Sequence, residues 1–457
     1  MEPFVLEPDD RAFALARAGG VLESSPSAVS DGSAGGAIGA DAWHAVRRLP
    51  TSTSTRHLAS VLRDAQPSAQ ALALCSAEIA RRLRGHALTP GQRVWIASPA
   101  YAGAAGLGAL LGITSQLGLP VDGFIDAAVA SSAALELPGP AIVIELGLHH
   151  LAATLVERDA GPVSRRRALL SERRGLLELY QAWLDFINTQ LVRQTRFDAL
   201  HDALTEQQLF DLLPSLAHEA AAQGVATATL TAGETRVAVP LTRDQLAQVA
   251  QPLWDEIVRL VHELRPAGTA LALLIPETLA GLPGLLESLT PFAGCELVSL
   301  PGGFAAAAVS LLELPLRQGG ETVRLLRRLP GGAQPRALAA QVRRTRLGEA
   351  DDVLAPSHLL FEGRTFALGS EPLVVGRGAG GGAAITLAEG LAGVSRRHCT
   401  LMREGAQVVL LDHSRFGTFV NGERVAERVR VRAGDEVRVG DPGVALALIA
   451  VNPAVRG

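Results

Sequence analysis

The hydrophobic pattern changes character once along the chain, and that change limits the fold more than any other feature. Up to about Leu316, short apolar runs such as Val94 to Ala97, Ile142 to Leu146 and Leu271 to Ile275 alternate with helix-length segments. Runs of that length bounded by turn residues predict buried strands, and their alternation with helices predicts an α/β architecture. The stretches Glu172 to Arg196 and Thr242 to Leu264 keep apolar residues at helical spacing, with Trp183, Phe186, Ile187 and Leu191 on one face of the first. From Arg317 to Ala355 the pattern dissolves into Arg, Gly, Gln and Pro, including Gly331-Gly332 and the basic residues Arg343, Arg344 and Arg346. That composition predicts a linker. Beyond it, strand-length runs recur at Leu373 to Gly376, Cys399 to Met402, Val408 to Leu411, Thr418 to Val420, Val437 to Gly440 and Val444 to Ile449. Such a cadence predicts an all-β sandwich. The expected chain is multidomain: an α/β domain over 1–316, a linker over 317–355 and an all-β domain over 356–453. A length of 457 residues agrees, being too great for one core of ordinary size.

Charge and composition exclude several partners. With a net charge of -4 the chain has no global field for nucleic acid or anionic lipid. Cys75, Cys295 and Cys399 lie far apart without a paired motif, so neither a disulfide framework nor a cysteine-built metal site is expected. The adjacent His149 and His150 would point to opposite faces of a strand, with no ligand set around them; no metal is expected. The start, with Glu7, Asp9 and Asp10, lacks the basic and apolar regions of an export signal, and a cytoplasmic location is the expectation. Ala100 to Leu119 is apolar but broken by Thr114, Ser115 and Gln116, which favours a buried helix over a membrane span. All 42 lysine-plus-arginine positions are arginine, so no lysine is available for catalysis.

Four motifs mark the C-terminal part: Gly376-Arg377, then Val394 to His398 (Val-Ser-Arg-Arg-His), then Asp412 to Gly422, and finally Gly434-Asp435 with Val439-Gly440. Their order and spacing resemble the forkhead-associated (FHA) family, whose members bind phosphothreonine. The residue types suit that ligand. A phosphothreonine carries roughly -1.5 to -2 charges and three acceptor oxygens, which call for a fixed guanidinium and short donors on loops of a rigid scaffold. Arg377 would supply the guanidinium and Ser395 the hydroxyl. The resemblance implies that Arg396 and Arg415 flank the phosphate or the peptide backbone, and that Asn421 holds the binding loop or the peptide main chain. It also implies structural roles for Gly376, His398, Gly417 and Gly422. Phe416 departs from the pattern, standing where the family usually has Asn. Ser395 with His398 could suggest a nucleophile and base, but no third orienting group or nucleophile elbow accompanies them. The glycine run 378–382 lacks the Lys-Ser/Thr ending of a phosphate cradle.

The first 316 residues resemble, in diffuse fashion, the actin-like ATPase fold of heat-shock chaperones. The resemblance rests on Val94 to Tyr101 with its Pro99-Ala100-Tyr101 turn, Ile144 to Gly147, Leu241 to Arg243 opening a helix, and Ile275 to Pro283. The resemblance implies ATP and magnesium as ligands, with Glu145 and Gly147 in the second phosphate loop. The loops argue against them. The first phosphate loop would be Val5 to Asp10, where Pro8 replaces a glycine and acids replace hydroxyls; proline has no N–H to donate, and carboxylates repel a triphosphate. Leu148, His149 and His150 put bulk where glycines are expected, and Pro276-Glu277 replaces a glycine pair. No cofactor and no catalytic residue is expected. The reading is a non-enzymatic, phosphothreonine-dependent adaptor in bacterial Ser/Thr kinase signalling, with a kinase or its substrate as partner. The rival is an ATP-binding, chaperone-like or filament-forming protein targeted by its FHA part. Thr345, between Arg344 and Arg346, is a candidate phosphorylation site in the linker.

Overall fold

The computed structural model describes residues 2–31, 36–86, 88, 91–158, 161–172, 174–266, 270–292, 294–314, 322–329, 336–347, 356–369, 371–378, 383–388, 390–404, 407–440 and 443–449. The first lobe begins with β1 (Phe4–Glu7), β2 (Phe13–Arg17) and β3 (Gly20–Ser25) as an antiparallel meander. A small pairing of β4 (Val29–Ser30) with β5 (Thr53–Ser54) follows. Then β6 (Val94–Ser98) and β7 (Val121–Asp126) join parallel to β1. The second lobe has the same plan. Its antiparallel β8 (Ala141–Leu146), β9 (Leu151–Arg158) and β10 (Val163–Ser171) are extended beside β8 by parallel β13 (Ala272–Pro276) and β14 (Glu296–Leu300). Between the two halves of this sheet, β11 (Val225–Ala232) and β12 (Thr235–Thr242) form a separate hairpin. Counting the main strands of each lobe in chain order, both sheets read 3-2-1-4-5.

Strand alternation divides the apolar residues between layers. Phe4 and Leu6 enter a core with the helices His57–Arg63, Ala69–Arg84 and Ala104–Gln116, whereas Val5 faces a shared middle core. In the second lobe Ile142, Ile144 and Leu146 face an outer helical layer with Trp183, Ile187, Trp254 and Leu260, and Val143 faces the middle. That middle layer is built on the wholly buried helices Ala127–Ala133 and Phe304–Ser310, whose alanines let the two sheets approach closely. In the outer layer, each large apolar side chain removed from water contributes about 1.5–3 kcal/mol. The two buried indoles satisfy their N–H groups on Leu246 O (3.0 Å) and Pro283 O (3.1 Å). Helix Arg243–Leu264 starts at a Thr242/Gln245 capping box, and helix Leu176–Thr195 stops where Arg196 turns left-handed. The apolar stretch from Ala100 supplies the helix Ala104–Gln116, packed through Leu107, Leu110 and Ile113. Among the described residues no helix is long and apolar enough to cross a membrane.

The segment expected to be a linker differs from that expectation. Within 317–355, β15 (Arg324–Leu326) adds parallel to β7, β16 (Arg328–Leu329) pairs with β10, and β17 (Arg343–Arg346) pairs with β14. An edge strand needs only one row of backbone bonds and one partly covered face, so arginine-rich sequence can form it. Thr345 therefore lies in an exposed edge strand opposite Leu297, its flanking Arg344 bonded to Glu296 at 2.9 Å. Gly331-Gly332 lie outside the described residues.

The C-terminal region is all β, in agreement with the sequence pattern. One sheet contains β18 (His358–Phe361), β19 (Arg364–Ala367), β24 (Thr418–Val420), β25 (Glu423–Arg424), β27 (Glu436–Val439) and β28 (Val444–Ile449). The other contains β20 (Leu373–Gly376), β21 (Ala384–Thr386), β22 (Cys399–Glu404), β23 (Gln407–Asp412) and β26 (Arg428–Val431). Val375, Cys399, Leu410, Val437 and Leu448 fill the space between them.

Candidate functional site

Three loops of the sandwich are tied to one another by short polar bonds. Gly376 ends β20 under the 395–396 backbone; a Cβ there would lie 2.1 Å from Arg396 O, so only glycine fits. The next amides, of Arg377 and Gly378, donate to Ser395 O (3.1 Å) and Arg396 O (3.0 Å). His398 is fully buried and joins the second loop to the third: its Nδ1 accepts from the Ser395 amide at 3.0 Å, and its Nε2 lies 3.0 Å from Gly417 O. Because Nδ1 accepts, the proton sits on Nε2 and donates to that carbonyl. Burial lowers the His398 pKa, in the direction of the neutral ring that this arrangement requires.

The third loop is braced from below. Asp412 accepts from the Ser414 amide (3.0 Å) and the Thr418 hydroxyl (2.8 Å), and Ser414 Oγ accepts from the Gly417 amide (2.7 Å). Burial opposes ionisation of Asp412, but the bonds from Ser414 and Thr418 outweigh it and hold the carboxyl below its usual range. Gly417 has φ +98°, a conformation that favours glycine. Ser395 Oγ accepts the Arg415 amide at 3.2 Å, leaving its hydroxyl hydrogen to donate outward. Arg377, Arg396 and Arg415 are exposed on these joined loops, and Phe416 is 55% exposed beside them. Such a cluster can hold a multiply charged oxyanion by charge-assisted bonds from preorganised donors. The glycine run is outside the described residues from 379 to 382.

The predicted residues Arg377, Ser395, Arg396 and Arg415 are thus brought together, supported by Gly376, His398 and Gly417. Asn421 and Gly422 are not part of that group. They turn the chain at the other end of β24, where Asn421 adopts φ 51°. The Asn421 side chain donates to Asp435 Oδ1 (3.0 Å) and accepts from the Glu436 amide (2.9 Å), so it ties its own turn to the Asp435 loop. Sequence reading missed what Asp435 does. It also accepts from the Arg432 amide at 2.8 Å and pairs, at 3.3 Å, with Arg265, which caps the C-terminus of the long α/β-domain helix Arg243–Leu264. Both side chains of this pair are 4% exposed. Arg265 lies over the Phe292 ring, and the His262 ring packs against Gly434. The sandwich is therefore anchored to the α/β body at the end of β27 remote from the arginine loops.

A second concentration of polar groups lies where the lobes meet. Glu7 accepts the Ala306 amide at 2.8 Å, and Glu145 accepts the Ala100 amide at 3.1 Å. Burial pushes Glu7 up to about 7; burial and then Asp126 push Glu145 up to about 8. These acids line a cavity of about 70 Å³, with Asp9, Arg11, Ser131 and Phe304 also in its wall. Gly147 has no open space beside it: a Cβ there would meet Asp10 at 2.5 Å and His150 at 2.6 Å. His149 contacts Thr55 at 3.2 Å, whereas His150 is buried against the Tyr101 ring. Both histidines occupy the β8–β9 turn rather than a strand. Among the described residues no group of three or more His, Cys, Asp or Glu is arranged to hold a metal ion.

No curated protein matches the chain. The FHA domain family matches residues 373–440, the span that carries all three arginine loops. The C-terminal sandwich is accordingly an FHA domain, a module whose members bind phosphothreonine-containing proteins.

Proposed function

We propose that the protein is a phosphothreonine-dependent adaptor in bacterial Ser/Thr kinase signalling, acting in the cytoplasm and built on an actin-like body that does not turn over ATP. The backbone ties of Arg377 and Arg415 to Ser395, which bring the exposed Arg377, Arg396 and Arg415 onto joined loops, carry the first half. Loops fixed by His398 and Asp412 present these groups with little reorganisation left for binding. The repeated 3-2-1-4-5 order of the two lobes, with a helical layer between them, supports the actin-like reading.

The residues between the lobes do not fit a nucleoside triphosphate. A cavity of about 70 Å³ is far below the roughly 300–1,000 Å³ of ligand pockets. Carboxyls of Glu7, Asp9 and Glu145 line this cavity. Calorimetric titration of the full-length protein tests both halves. A peptide carrying phosphothreonine is expected to bind while its unphosphorylated form does not, and ATP with magnesium is expected to give no binding heat. Equal binding of the two peptides would overturn the adaptor reading. Micromolar ATP binding would instead favour a nucleotide-switched chaperone-like or filament-forming body.

A further inference from the structure

We propose that Asp10 is a tethered ligand: its carboxyl fills an oxyanion seat formed by the backbone amides of Leu148 and His149, and so pins the two lobes of the body together. The inference stands on the geometry of two turns and does not depend on the actin-like reading. Asp10 belongs to the β1–β2 turn of the first lobe, whereas Leu148 and His149 belong to the β8–β9 turn of the second. Oδ1 accepts from Leu148 N at 2.9 Å and Oδ2 from His149 N at 3.3 Å, with Asp10 fully buried.

Other backbone groups of the second turn are occupied as well. Gly147 N donates to His150 O at 3.0 Å, and the carbonyls of Gly147 and Leu148 accept from Leu176 N (2.9 Å) and Leu177 N (3.0 Å) at the start of a helix. Adjacent backbone N–H groups aimed at one point form a ready anion site, and a buried pair must find acceptors somewhere. Here the acceptor comes from within the chain. An isosteric Cβ at Gly147 would collide with Asp10 Oδ1, so the glycine is what lets the carboxyl approach.

The first turn is held to receive this contact. Asp10 N lies 3.3 Å from the Tyr101 hydroxyl, and the Tyr101 ring packs against His150, tilted by 58° with the ring centroids 3.7 Å apart. His150 Nδ1 approaches Oδ2 to 3.4 Å without the alignment of a hydrogen bond. Burial, then Asp9, push the Asp10 carboxyl up to about 8, against the pull of the Leu148 and His149 amides and of Arg11. Either protonation state leaves oxygen lone pairs facing the two donors. Another bond between the lobes runs from the Ala100 amide to the Glu145 carboxyl at 3.1 Å.

Hydrogen exchange of the full-length protein, followed by mass spectrometry, tests the seat. In the native chain the Leu148 and His149 amides are expected to exchange as slowly as those of β8. The Asp10→Ala variant is expected to exchange faster at these amides and at Ala100 by about ten- to a hundredfold, with the FHA strands unchanged. Sodium formate, but not sodium chloride at equal ionic strength, is expected to restore protection in that variant by supplying a free carboxylate to the seat. Loop-like exchange of Leu148 and His149 in the native chain would overturn the proposal, and that measurement needs no variant to fold. Unchanged exchange in Asp10→Ala would overturn it too, as would loosening that formate does not reverse. Asp10→Asn, which keeps the shape but turns an N–H group toward a donor, is expected to loosen the same amides.

Discussion

Replacing Arg265 with alanine is expected to uncouple the FHA domain from the body. The pair it makes with Asp435 is 4% exposed on both sides, so removing one partner leaves a carboxylate with little access to water. Such losses cost about 3–5 kcal/mol when the remaining charge is stranded. Asp435 is not wholly stranded, because Asn421 Nδ2 at 3.0 Å and the Arg432 amide at 2.8 Å still donate to it. The cost should therefore fall near the lower end, about 3 kcal/mol. All four tryptophans, at 43, 95, 183 and 254, are in the body. Indole fluorescence in a urea titration thus follows the body, while far-ultraviolet circular dichroism follows both parts. In the native protein the two curves should coincide. In Arg265→Ala they should separate. Replacing the pair together, as Arg265→Met with Asp435→Asn, should cost less than the single change because no charge is left behind. Coincident curves with an unmoved midpoint in Arg265→Ala would refute the anchoring role of the pair.

Two further outcomes follow from the sites. Arg377→Ala should lose a charge-assisted bond of roughly 1.5–3 kcal/mol, or about one to two decades of phosphopeptide affinity; unaltered binding by the folded variant would remove Arg377 from the site. The thermal stability of the body should be greatest in mildly acidic to neutral solution. Glu7, Asp10 and Glu145 are raised to about 7, 8 and 8, so the stability they contribute is full at about pH 4 and is lost as pH rises through those values. His149, His150 and His262 are lowered, chiefly by burial, to about 4, 3 and 4, so their contribution is present above about pH 6.5 and lost on acidification. Asp9, Asp126, Arg11, Arg165 and Tyr101 face the cleft acids, and Arg56 and Arg63 face the two turn histidines. Melting temperatures at pH 4, 6.5 and 9 check the shape, and a rise from pH 6.5 to 9 would contradict it.

The FHA domain was legible because its loops are written in contiguous motifs, each supplying a whole loop. Arg377, Ser395, Arg396 and Arg415 needed only the sandwich to bring them together. For Asn421 two roles, holding a loop or the peptide main chain, stayed open because an Asn-Gly turn is compatible with several partners, and the bonds to Asp435 and Glu436 lie across the hairpin where sequence spacing does not reach. β20, β24 and β28 ended where the apolar runs ended. β17 was missed because an edge strand rich in arginine carries almost no apolar signal, and β15 because its Arg-Leu-Leu run is only three residues long. The β11–β12 hairpin did carry one: Ala226, Ala228 and Leu230 alternate with exposed or half-exposed neighbours at period two. Asp10 had no such mark. A side chain that bonds backbone amides 138 residues away leaves its partners free to be Leu and His, so nothing in their identities announces the contact.

The mounting of the FHA domain has a geometric consequence. The strand β27 begins beside the anchored Asp435 and ends at Val439, opposite Thr418 and next to the loop that carries Arg415. At about 3.4 Å per residue, that puts only some 14 Å of rigid strand between the bracket and the receptor. A captured phosphoprotein would then be held at a set bearing to the body, like a tool in a fixed chuck, instead of swinging at the end of a tether. Whatever the body contacts would meet that partner always from the same side.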